Sequence, residues 1–289
     1  MNIHTIETNI EKLRDPFVLA EDGTYYMYGS EWICYKNTGS LTDGKWTKSE
    51  KQLTVTPKTF VKDNWAPEVH KYKGSYYMFT TYFSSVTKRH GCTIMKSDSP
   101  DGPFIEITDG TITPAEWDCI DGTFYVDSEG QPWMVFVHEW VSTDDNIGRM
   151  AIAKLSADLT HFISEPKDIF RADDPSWTNA AVTDGCFMYT TKDNKLLMLW
   201  SNFDKNGGYC SAVSHSENGK LDGKWIHDDR PLYSKDISGK YDGGHGMIFT
   251  DFDGQMYLSL HSPNAPVNDR MEKPILIPVK EENGTIVLL

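Results

Sequence analysis

Five side chains are set apart by type and spacing: Asp15, Glu68, Asp121, Asp184 and His245, at intervals of 53, 53, 63 and 61 residues. Four carboxylates and an imidazole brought round one axis would form a proton-handling device. Crowding raises carboxyl pKa values, so one acid stays protonated at neutral pH while another is ionised. Hydrolysis of a glycosidic bond needs that pair. A protonated carboxyl serves the leaving oxygen and an ionised one activates water, roughly 6.5–9.5 Å apart when the anomeric centre inverts. A third carboxylate, coupled to the acid, keeps it protonated. Taken singly, Asp before Gly or Pro is a turn residue, and Asp22, Asp43 and Asp253 are read so.

The elements that must position these groups recur with them. One unit runs Arg14-Asp-Pro-Phe-Val-Leu-Ala-Glu-Asp-Gly-Thr-Tyr-Tyr-Met-Tyr28, and the next runs Trp65-Ala-Pro-Glu-Val-His-Lys-Tyr-Lys-Gly-Ser-Tyr-Tyr-Met-Phe79. Three more copies begin at Ile120, Thr183 and Gly244. Each is two apolar or aromatic runs around an Asp-Gly, Lys-Gly or Asp-Asn turn, the pattern of a β-hairpin. A second marker keeps the same phase: Asp43-Gly-Lys-Trp46, Asp101-Gly-Pro-Phe104 and Asp222-Gly-Lys-Trp225, with Leu159-Thr-His-Phe162 a degenerate copy. Five units without long helical periodicity predict an all-β fold, a five-bladed β-propeller of four antiparallel strands per blade. It is read as one domain over 1–289 with a funnel on its axis. A β-sandwich gives no reason for two markers to share a five-fold phase. The longer connections, Ser142 to Gly148 and Arg171 to Asn179, are expected to build one face of the disc.

Composition narrows the partner. The formal charge is −14, from 28 basic and 42 acidic residues, which argues against nucleic acid or an anionic membrane surface as partner. The longest apolar runs, such as Leu196-Leu-Met-Leu-Trp200, are strand-sized, far short of a membrane span. Five scattered cysteines without a Cys-x-x-Cys pair, together with an N-terminus lacking an apolar leader, predict free thiols in a cytoplasmic protein. The 9 Trp, 14 Tyr and 13 Phe suit strands and also suit stacking on sugar rings.

In Arg14-Asp15-Pro16, Trp65-Ala-Pro-Glu68, Ile120-Asp121-Gly122, Thr183-Asp184-Gly185 and Gly244-His245-Gly246, in that order, the chain resembles glycoside hydrolase family 43 from Arg14 to Arg270. That resemblance implies a five-bladed propeller that usually inverts, with Asp15 as general base and Asp121 as the pKa-modulating, orienting aspartate. The general acid falls at Asp184, where the family usually carries the one-methylene-longer glutamate, so Glu139 or Glu68 is the alternative acid. It further implies that Glu68 supports the inner wall or meets a sugar hydroxyl, and that Arg270 reaches back to the funnel. His245 would serve a calcium or sodium ion on the axis, without organic cofactor. Trp32, Trp65 and Trp140 fall where funnel loops should lie, and His138 and Glu139 join Trp140 as substrate-binding candidates. Trp46, Trp133 and Trp225 are assigned to core. The implied substrate is a small plant-type oligosaccharide. The activity expected is that of an exo-acting α-L-arabinofuranosidase, with β-xylosidase, endo-arabinanase and a non-catalytic glycan-binding propeller as alternatives. Oligomeric state is not read from the sequence.

Overall fold

The computed structural model describes residues 3–289. Five antiparallel sheets account for nearly all of its regular structure. Blade 1 runs Phe17–Glu21, Thr24–Gly29, Ile33–Asn37 and Thr47–Lys48 from the axis outward, and blade 2 runs Phe60–Tyr72, Ser75–Ser84, His90–Ser97 and Ile105–Glu106. Blade 3 is Cys119–Val126, Pro132–His138, Arg149–Lys154 and Lys167–Arg171; blade 4 is Asp184–Thr190, Leu196–Phe203, Tyr209–Ser216 and Trp225–His227. Blade 5 takes Gly244–Thr250, Met256–Ser262 and Lys273–Glu282 from the C-terminal end. Its outer edge is shared by Ile6–Glu7 and Thr285–Leu288, which pair with different stretches of Lys273–Glu282. The N-terminal strand thus closes the ring, and its two residues gave no signal of that in the sequence. No helix among the described residues is long and apolar enough to cross a membrane.

Blades pack face against face, so their middle strands are apolar on both sides. Pro132–His138 is buried throughout, which explains why Met134-Val-Phe-Val137 reads as a continuous apolar run rather than an alternating one. Aromatic rings fill the wedges: Phe79 of blade 2 stacks on Phe124 of blade 3 at 5.2 Å. The tryptophans assigned to core, Trp46, Trp133 and Trp225, are all buried.

The five-fold phase has a backbone counterpart. On or just before each innermost strand, in matching register, a residue stands in the left-handed region: Asp15 (φ 56°), Ala66 (43°), Asp121 (55°), Gly185 (52°) and His245 (53°). The pairing register breaks at this point in blades 2 to 5. Each of these five N–H groups donates to a side chain of the blade before it. Asp15 N donates to His261 Nδ1 (3.3 Å), Ala66 N to Ser30 Oγ (3.0 Å) and Asp121 N to Thr81 Oγ1 (2.9 Å). Gly185 N donates to Asp121 Oδ2 (2.9 Å) and His245 N to Ser201 Oγ (2.7 Å). Left-handed backbone at a non-glycine residue costs about 1–3 kcal/mol and persists where the surroundings over-determine it. Here the bond to the neighbouring blade does so, and the kink turns Asp15, Asp121 and His245 toward one another.

This ring corrects the sequence alignment in two blades. The equivalent position is Ala66 in blade 2, two residues before Glu68, and Gly185 in blade 4, one after Asp184. Blade 4 has no room for a side chain there: a Cβ on Gly185 would lie 2.7 Å from the His245 ring. The fourth-blade carboxylate therefore comes from the preceding residue. Gly185→Ala is expected to lose about 1–2 kcal/mol from its left-handed φ alone and to push His245 off Asp15. A lowered melting temperature together with a lowered turnover number would check it; unchanged turnover would contradict the crowding.

Candidate active site

On the axis lies a cavity of about 460 Å³, in the range of small-molecule sites. Asp15, Asp121, Asp184 and His245 line it together, joined by Arg14, Trp65, Glu139 and Trp140. Four of the five polar residues picked from the repeat therefore meet in one place, and Glu68 does not.

Asp15 is buried, with Oδ1 3.2 Å from His245 Nδ1 and Oδ2 accepting from the Ser30 hydroxyl at 2.5 Å. Burial pushes its carboxyl up, but the His245 ring, the Arg14 guanidinium and the Ser30 hydroxyl outweigh it and hold it below its ordinary range. Burial likewise pushes His245 down, and Asp15, Asp121 and Asp184 more than reverse this, so its ring favours the imidazolium. His261, although 3.4 Å from Asp15 Oδ1, is no ion-pair partner. Burial takes it down to about 3, its Nδ1 accepts the Asp15 N–H, and its Nε2 faces Asn264.

Across from this pair the balance is reversed. Asp121 Oδ2 accepts the Gly185 N–H and stands 3.7 Å from His245 Nδ1; burial, and then Asp15, raise its carboxyl above the ordinary value. Asp184 accepts from the Tyr209 hydroxyl at 3.0 Å. Burial and Asp121 raise it well above its usual range. Glu139 is pushed up to about 7 by burial and by Asp121 and Asp118. Burial and neighbouring charge thus hold Asp15 below the ordinary carboxyl range and push Asp121, Asp184 and Glu139 above it. Such divergence of neighbouring acids is the mark of acid–base chemistry.

Other expected residues lie elsewhere. Glu68 is buried between blades 2 and 3, where its Oε2 takes the Thr123 hydroxyl (2.5 Å) and His70 Nε2 (3.0 Å). Two residues past the kink, its side chain joins blades instead of meeting sugar. Glu68→Ala leaves the buried Thr123 hydroxyl and the part-buried His70 ring without this partner, and is expected to cost about 1–3 kcal/mol. Its KM should match the parent's, and a raised KM with unchanged melting would contradict this placement. His138 is buried, stacked on Trp117 at 3.8 Å with Nδ1 3.3 Å from Asp168. Trp32 packs on Phe60 and donates to Thr80 Oγ1 at 2.8 Å, so it stiffens the wall without lining the cavity. Arg270 covers the Tyr241 ring and pairs with Glu7 at 3.0 Å, which anchors the closing strand. Beside Lys12, the cavity lining carries Arg14, held by the Asn264 carbonyl at 2.6 Å. Its place immediately before Asp15 was the available clue. Tyr209, Ser30 and His261 were missed too, because they lie on or just after second and third strands, outside the motif that recurs on the innermost ones.

The resemblance also implies an axial cation at His245. Calcium takes six to eight oxygens. The His245 Nδ1 is shared between Asp15 and Asp121, the carboxylates the chemistry needs, so the residues present do not form such a shell.

A model of the glycosyl hydrolases family 43 matches residues 9–286. Among solved structures, the chain is similar to an endo-arabinase from Bacteroides thetaiotaomicron VPI-5482, at 32% identity over 98% of this chain and 99% of that one, with a TM-score of 0.85. An exo-1,5-α-L-arabinanase from a bovine ruminal metagenomic library shares the fold, with a TM-score of 0.72 at 20% identity, covering 98% and 99% of the two chains. Among curated proteins, the extracellular exo-α-(1→5)-L-arabinofuranosidase ArbA of Cellvibrio japonicus is 26% identical over 177 residues, 54% of this chain and 47% of that protein. The matched stretch spans about half the length of that relative.

Proposed function

The chain belongs to glycoside hydrolase family 43, and from that premise we propose that it hydrolyses α-L-arabinofuranosidic bonds of small oligosaccharides with inversion. The observation that carries this reading is the divergence of the acids in the cavity: Asp15 is held low beside the His245 ring, while Asp121, Asp184 and Glu139 are pushed up. Asp15 takes a proton from water as it attacks the anomeric carbon, and a carboxyl across the cavity protonates the departing oxygen. Asp121 turns a raised, orienting carboxylate toward both, and Arg14 adds positive charge beside the base. Trp65 and Trp140 offer aromatic faces to the sugar. A cation on the axis has no step in this scheme.

Exo action finds support in the Cellvibrio relative's description and endo action in the Bacteroides structure's; the cytoplasmic expectation finds none in a relative described as extracellular. Incubation with linear arabinan separates the two modes. Arabinose as the sole early product marks exo cleavage, and a ladder of oligomers marks endo cleavage. Nitrophenol release from α-L-arabinofuranoside and β-D-xyloside identifies the sugar, and the anomer first formed, read by NMR, reports inversion. Absence of turnover on all of these, with calorimetric binding of arabino-oligosaccharide, would replace the enzyme by a glycan-binding propeller.

A further inference from the structure

The residue opposite Asp15 that delivers the proton remains to be assigned. Of the three acids that the sequence offers, Glu68 is buried away from the cavity, which leaves Asp184 and Glu139. Asp184 is one methylene shorter than Glu139, and one of its oxygens is taken by the Tyr209 hydroxyl. Glu139 follows the second strand of blade 3, and its N–H donates to the Asp118 carbonyl at 2.8 Å, which fixes it beside the inner strand that carries Asp121. It lines the cavity, yet the residue is only 8% exposed, and its Oε2 is shut off from solvent without a hydrogen-bond partner. The polar atoms near it are His90 Nδ1 at 3.6 Å and Asp118, whose Oδ1 is 3.8 Å from the same nitrogen. His90 is oriented by Asp63 at 3.1 Å through Nε2, and it stacks on the cavity-lining Trp65 at 4.6 Å.

An ionised Glu139 would thus bury a charged oxygen neither hydrated nor hydrogen-bonded while facing two further carboxylates, whereas protonation removes the charge and lowers both costs. Resting on the glycosidase reading, we infer that Glu139 is the proton donor of the reaction and that Asp184 is not. The bond from the anomeric carbon to the leaving oxygen breaks with its electron pair on that oxygen, which takes the Glu139 proton. The water oxygen bonds to the anomeric carbon and yields its proton to Asp15. Transfer from Asp15 to Glu139 through solvent restores the start, with the partly exposed His90 ring at the point of exchange.

The test compares Glu139→Gln and Asp184→Asn with the parent on arabinofuranosides of poor (alkyl) and good (dinitrophenyl) leaving groups. For Glu139→Gln, turnover of the alkyl glycoside should fall roughly 10²–10⁴-fold, and that of the dinitrophenyl glycoside should change little, because that oxygen leaves without help. Asp184→Asn should affect both substrates alike. Equal losses for Glu139→Gln, or the leaving-group split in Asp184→Asn instead, overturn the assignment.

A second readout is independent of turnover. The folded protein holds the Glu139 proton up to about pH 7 and the unfolded chain releases it near its ordinary 4.5, so the parent loses stability as pH rises between these values. The groups facing it are His90, backed by Asp63, together with Asp118, paired to Arg89, and Asp121. Glu139→Gln cannot titrate, so its melting temperature should gain on the parent's from pH 5 to pH 8. A constant difference overturns the inference, as does stabilisation by calcium of the parent but not of the variant. Failure of the parent on every glycoside would instead count against the glycosidase reading, and the melting comparison would still decide where the proton sits.

Discussion

Asp15→Ala is expected to lower the turnover number by roughly 10²–10⁴-fold, the usual yield of a positioned general base, with KM for arabinofuranosides nearly unchanged. Asp121, Asp184 and Glu139 are poor replacements, because burial and mutual repulsion raise each above its ordinary range. The loss is compounded by His245, which keeps its charge chiefly through Asp15. The fold should survive, since the Asp15 N–H still reaches His261 Nδ1. Asp15→Asn retains the shape and should be as inactive, which separates the proton from the packing. Because Asp15 is held below its ordinary value of 3.8, the acid limb of the parent's pH–rate profile should lie below pH 4, with rate rising as pH rises through it. Steady-state kinetics with a thermal melt of each variant checks all of this, and an Asp15→Ala protein with more than about a tenth of the parent rate would remove Asp15 from the mechanism.

Trp200→Ala is expected to be the most damaging change to stability. Trp200 is fully buried in the wedge between blades 3 and 4, against Phe170 at 5.2 Å and Trp177 at 5.7 Å, with Nε1 donating to Ser214 at 2.8 Å. Truncating a buried tryptophan costs about 3–5 kcal/mol, or roughly 10 °C of melting temperature in a domain of this size, and it orphans no charge. KM of the remaining folded enzyme should match the parent's. Trp65→Ala should do the opposite. The residue is 36% exposed and lines the cavity, so melting should barely move while KM rises. If Trp200→Ala melts within about 1 °C of the parent, the wedge is not the support it is taken to be.

The contrast between these tryptophans marks how far the sequence could be read. Period and turn chemistry are local, so five hairpins, their strand order and the apolar runs of the middle strands were all legible. Asp15, Asp121 and His245 were legible as a ring because each lies at a kink that recurs with the blade. Glu68 failed the same reading because a count of residues cannot see a register break: a kink two residues earlier turns its side chain between the blades. His138 and Arg270 failed for another reason. A histidine stacked on Trp117 and an arginine paired to Glu7 are decided by neighbours distant in the chain.

By itself, then, the sequence determined the repeat, the fold class and the meeting of three polar side chains on one axis, since each follows from hydrophobic periodicity and turn geometry within single units. Only the tertiary structure decided which acids are held low and which are pushed up. A carboxyl's proton depends on burial and on charges within a few ångströms, and those come from other blades: His245 and Arg14 for Asp15, Tyr209 and Asp121 for Asp184. The N-terminal strand that completes blade 5 was settled there too, because a two-residue pairing has no pattern until its partner is in place.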